Sequence, residues 1–113
     1  MFRPEAAATV WLVLGHTDMR KGIDGLMGLV ANQYRLDPWS GNYFVFQGRQ
    51  RNRLKILYYD RTGYCLWIKR LGEGVFRWPR TEAETRAITG EQLGWLLAGL
   101  DIEMAHQAVK YSA

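Results

Sequence analysis

The 113-residue sequence predicts an α+β domain, an antiparallel β-meander carrying one long N-terminal helix and one short C-terminal helix. Three observations carry that reading. The middle of the chain holds short runs rich in aromatic and β-branched residues, parted by Gly-containing turns. Ahead of them, Met19, Ile23, Leu26, Val30 and Tyr34 recur at helical spacing. Near the end, Thr89-Gly90-Glu91-Gln92 fits a capping box.

Taken in order, "TVWLVL" (Thr9 to Leu14) reads as a strand buried on both faces, broken by Gly15. Thr17 is a good N-cap with Asp18 behind it, so the spacing predicts a helix from about Asp18 to Leu36. "DPWSG" is a loop. The runs "NYFVFQ", "RLKILYYD", "YCLWIKRL" and "VFRW" are the meander strands. Asp60-Arg61-Thr62-Gly63 suits a type I turn closing through a Gly bulge, and Gly72-Glu73-Gly74 suits a second tight turn. Leu93, Leu96, Leu97 and Leu100 give the last helix its apolar face. No domain boundary interrupts residues 1–113, and residues 1–8 and 102–113 read as loosely ordered ends.

The single cysteine, Cys65, excludes an internal disulfide framework and fits a reducing cytoplasm. The apolar run Ala6 to Leu14 is too short to span a membrane, and charged residues follow it where a signal peptide would be cleaved. Net charge is +4, but Arg49 to Arg80 holds nine basic and two acidic residues, leaving the rest of the chain at −3. Such asymmetry suggests a polyanionic partner.

Turn lengths sharpen this. With a three-residue loop after Asp60, Lys55 faces Lys69; with a similar loop at Gly72, Lys69 faces Arg77. Three cations in a row across a sheet are unfavourable unless an anion binds. Alternation then puts Arg53, Tyr59 and Trp67 with them on an open basic-aromatic face, the kind that stacks bases and pairs phosphates. Arg49 and Arg51 extend the positive charge through the preceding loop. Long basic side chains also cover aromatics on ordinary sheets, and the pattern alone does not separate the two readings. Arg70 misfits, falling on the core face; a register slip of one would exchange the faces. Arg20 and Lys21, in the predicted first helical turn, either complete an anion site with free N–H groups, or Arg20 pairs with Asp24 and Lys21 is merely solvated.

"TDMRKGIDGL", "GNYFVFQGRQRNRLKILYYDRTGYCLWIKRL" and "FRWPR" resemble the TnpB-type accessory protein, the second open reading frame, of bacterial insertion sequence family 66. The resemblance runs from about Val10 to Leu100. It implies a part in transposition beside a separate transposase and brings no catalytic residues with it.

Chemistry-bearing residues are scattered. The aspartates suit turns and helix ends, no acidic-x-Lys triplet occurs, and His16 and His106 lack ligand spacing. The expectation is therefore a non-catalytic accessory protein that binds DNA, without metal or cofactor. The alternative is an adaptor that holds the transposase, which would show an exposed apolar patch above ~400 Å². A nuclease, the third option, would show clustered carboxylates.

Overall fold

A computed structural model describes residues 2–103. Its centre is a five-stranded sheet in the order β4-β3-β2-β1-β5. The strands are β1 (Val10–His16), β2 (Tyr43–Gln47), β3 (Arg53–Tyr59), β4 (Tyr64–Arg70) and β5 (Thr85–Ile88). β2, β3 and β4 form the expected antiparallel hairpins. β1, however, lies parallel to β2, and β5 returns antiparallel to β1. The sheet is therefore mixed and not an antiparallel meander. A parallel pair requires a crossover, and the segment between β1 and β2 supplies it.

The expected long helix is absent. Helix α1 covers Ile23–Gly28 and widens into a π-helical turn at Leu29–Gln33. Local chemistry explains the late start. The Asp18 carboxylate accepts from the Arg20 backbone N–H at 2.9 Å, closing a turn that competes with helix. Lys55 Nζ donates to the carbonyl oxygens of Met19 and Lys21 at 2.7 and 2.8 Å, engaging acceptors that a helix over these residues would use. Gly22 is the N-cap and makes no side-chain cap bond. Thr17 is not the cap; its N–H donates to Gln47 O on β2. At the other end Arg35 takes φ 54°, the left-handed stop common after helices. The apolar stripe still does its packing work, since Leu26 and Val30 are buried and Met19, Ile23 and Tyr34 lie against them.

Both sheet faces are covered. On one, α1 packs over Val13, Phe44, Phe46 and Leu57. On the other, α2 (Gly90–Leu97) sets Leu93, Leu96 and Leu97 against Leu12, Val45, Leu54 and Ile56. Thr89 and Gln92 form the expected capping box. "VFRW" is not a strand. It crosses the α2 side as coil, burying Phe76 and Trp78, and Trp78 Nε1 donates to Val13 O at 2.9 Å. The chain thereby reaches the far edge, where β5 pairs with β1. Phe2 packs on the rings of Tyr43, Tyr58 and Trp67, and Ile102 is buried. Most of the expected C-terminal tail, residues 104–113, lies outside the described residues.

Candidate nucleic-acid interface

The β3–β4 turn decides which cations meet. Asp60 N–H donates to Gly63 O at 3.0 Å, and Arg61 takes φ 96°. The loop is thus a two-residue turn, held by Asp60 Oδ1 accepting from Thr62 and Gly63 N–H groups. Tyr59, not Asp60, pairs with Tyr64. One residue of slip reverses the faces.

The expected row of Lys55, Lys69 and Arg77 therefore does not exist. Lys55 pairs with Ile68 and points to the α1 side, where it is only 8% exposed and bonded to two carbonyls. Lys69 pairs with Leu54 and points to the α2 side, where Nζ donates to Leu97 O at 2.9 Å. Arg77 sits in coil, lining a separate groove with Arg51 and Arg80. Trp67 is on the α2 face against Phe2. An open basic-aromatic sheet face is absent because a helix covers each side.

What the structure gathers instead is Arg20, Arg49, Arg53 and Arg70. They line a cleft of about 640 Å³ at the end of the α1 face, between the loop after β1 and the loop after β2. Arg53 and Arg70 are direct cross-strand partners. Leu71 N–H donates to Asn52 O, so the neighbouring Arg53–Arg70 pair is non-hydrogen-bonded, with Cα atoms about 4.5 Å apart. Like charges placed so close are unfavourable without a counter-charge. Among the described residues Arg49, Arg53 and Arg70 have no carboxylate partner.

Asp18 is the acid lining the cleft, and it is already committed. Arg20 binds it through Nε and Nη2, the shortest contact being 2.8 Å. That hydrogen-bonded guanidinium holds the Asp18 carboxyl well below the usual carboxylate range. Arg20 is 91% exposed at its side chain and lies, with Lys21, ahead of the helix. Neither cation therefore occupies the expected first helical turn, Arg20 pairs with Asp18 and not with Asp24, and Arg20 belongs to the cleft by its loop position. Gly48 permits the loop to close down: a Cβ there would lie 2.6 Å from Met19 Cγ. Thr17 also lines the cleft, and its Oγ1 is buried without a partner.

Arg70 is the residue sequence reasoning missed. Its misfit on the expected core face was the available sign that the register was displaced by one. At the opposite end of the same face, Trp39, Tyr59 and Tyr64 form an edge-to-face cluster with centroids 5.0 to 5.2 Å apart, and Trp39 is 59% exposed.

Other chemistry is sparse. Burial, then the hydrogen bond to Asp60, pushes the Cys65 thiol up, away from thiolate character. Among the described residues no group of three or more His, Cys, Asp or Glu side chains is placed to hold a metal ion. None of the described helices is long and apolar enough to cross a membrane.

Residues 8–107 match the family described as IS66 Orf2 like protein. The chain belongs to that family. Its members are insertion-sequence accessory proteins and not known enzymes. In Sinorhizobium fredii (strain NBRC 101917 / NGR234) the uncharacterized protein y4hO is 46% identical over 92 residues, covering 81% of this chain and 80% of its own. The uncharacterized protein y4jC of the same strain is 32% identical over 101 residues, covering 89% and 86%. No solved structure matches the chain.

Proposed function

We propose that the protein is a non-catalytic, cytoplasmic accessory factor of insertion-sequence transposition that binds DNA phosphates in the arginine-lined cleft. The opposed Arg53–Arg70 pair supports this most directly. Two arginines set opposite each other on adjacent strands, with Arg49 and Arg20 lining the same cleft, supply the planar, multi-donor guanidiniums that bind phosphate oxygens bidentately. A bound phosphate would relieve the repulsion that the sheet register imposes. The exposed Trp39 cluster on the same face offers a ring for an unpaired base.

A salt titration of binding to short duplex and single-stranded DNA tests the reading. Each phosphate contact contributes a log–log slope of about −0.7 to −0.9. The Arg53→Ala/Arg70→Ala variant should flatten the slope by nearly two contacts, while Trp39→Ala weakens single-strand binding and leaves the slope alone. Unchanged affinity in the folded double variant overturns the cleft as the binding site. Negligible DNA affinity at physiological salt, with transposase co-purification lost on Trp39→Ser, favours the adaptor instead.

A further inference from the structure

We propose that the outer edge of β4 pairs with β4 of a second copy, joining the two sheets into one. β4 ends the sheet, and no described strand lies beyond it. The ladder bonds fix which groups it presents. Asp60 N–H to Gly63 O and Leu71 N–H to Asn52 O turn residues 65, 67, 69 and 71 toward β3. The backbone N–H and C=O of Tyr64, Leu66, Ile68 and Arg70 therefore point outward.

Protected edges are short, bulged, or blunted by lysine. β5, at the other edge, has four residues, and its Arg86 is paired with Glu103. β4 has seven, in unbroken register with β3, and contains no Pro or Gly. Its lysine does not guard it, because Lys69 Nζ is bonded to Leu97 O on the α2 side. Ile68 stands 53% exposed.

The strand is complementary to itself. An antiparallel pair centred on Trp67 sets Tyr64 opposite Arg70 and Leu66 opposite Ile68, so every outward residue meets an outward residue. That gives about eight backbone bonds across the seam and apolar Leu66–Ile68 contacts on both sides of the two-fold axis. Beyond the strand ends the same register sets exposed Arg61 opposite exposed Glu73 of the second copy, opposite charges at each end. A two-fold axis perpendicular to the sheet keeps both clefts on one face. Arg70 of each copy then lies beside Tyr64 of the other, and each cleft adjoins the other copy's Trp39 cluster.

Sedimentation equilibrium of the full chain without nucleic acid tests this apart from DNA binding. At about 100 µM the expected species has twice the 13.1 kDa monomer mass. Ile68→Pro removes an outward N–H that β3 does not use, and Ile68→Lys places a charge on the apolar seam. Each should weaken dimerisation at least about tenfold, with circular dichroism and melting unchanged for Ile68→Lys. Non-hydrogen-bonded partners lie about 4.5 Å apart at Cα, within disulfide reach. Lys69→Cys should thus link on oxidation to native Cys65 of the second copy, and Trp67→Cys in a Cys65→Ala background should link to itself on the axis. A wild-type monomer at this concentration, a dimer indifferent to both Ile68 substitutions, or no covalent dimer from either cysteine variant overturns the proposal.

Discussion

The two faces of the β3–β4 hairpin carry similar cations with opposite fates. Lys55 on the α1 face and Lys69 on the α2 face each end on backbone carbonyls of a neighbouring segment. Arg53 and Arg70, at the end of the α1 face, stand opposite each other on adjacent strands and have no described carboxylate partner. A lysine ammonium is a compact donor whose N–H groups neighbouring carbonyl oxygens can engage, so the fold holds it without a carboxylate. A guanidinium presents five donors in a planar fork that fits the paired oxygens of an oxyanion. Positive charge in a sequence is thus poor evidence for a ligand; unpartnered positive charge in a structure is better evidence.

The comparison breaks most visibly at Lys55. Lys55→Ala leaves the Met19 and Lys21 carbonyls without their donor and should cost about 2 kcal/mol, read by urea denaturation. If stability holds within about 0.5 kcal/mol and the salt slope of DNA binding flattens instead, Lys55 is a ligand contact and the distinction fails. Lys69→Ala should have a smaller effect, about 1 kcal/mol, because it removes a cation from the C-terminal end of α2 on a partly exposed side chain. Its DNA salt slope should match wild type.

These residues also show what was legible. The family resemblance, four of the five strands in place, the Thr89 capping box and the packing stripe of α1 were readable because each rests on local pattern. The faces were not, because they hang on whether the turn after Tyr59 contains two residues or three. Asp-x-x-Gly suits either, and side-chain bonds inside the turn decide it. Alternation then propagated that one residue to every cation on β4. β5 was missed because "TRAI" is four residues without aromatics, and its partner is β1, far earlier in the chain. The apolar spacing alone predicts too long a helix, because a long-range lysine holds the turn before it. Of the candidate site, Arg20, Arg49 and Arg53 were named from charge, while Arg70 needed the true register.

A milder test separates charge from position. Arg51 holds φ 62° in the loop before β3, and its side chain lines other grooves, away from the cleft. A left-handed conformation costs a non-glycine residue about 1 kcal/mol. Arg51→Gly should therefore raise stability by about 0.5–1 kcal/mol, seen as a higher melting temperature. DNA affinity should change far less than in Arg53→Ala. An equal loss of affinity would mean that general positive charge, not the cleft, binds DNA.

The smallest expected effect is the most specific. Asp18 neutralises Arg20, and Asn at this position keeps an oxygen that can accept from the Arg20 N–H, so the turn survives Asp18→Asn. The substitution frees Arg20 for phosphate and should tighten DNA binding roughly two- to fivefold, the scale of one exposed ion pair. Acidification cannot mimic it in the ordinary range. The folded-state carboxyl titrates below the unfolded value near 3.9, so the pair's contribution is intact above that value and disappears only as pH falls through the depressed folded one. Wild-type affinity should accordingly show no gain from Arg20 release on lowering the pH from about 8 to about 5, whereas Asp18→Asn binds more tightly across the whole interval. Binding that is unchanged or weakened in Asp18→Asn would place Arg20 outside the interface and confine phosphate recognition to the Arg53–Arg70 pair and Arg49.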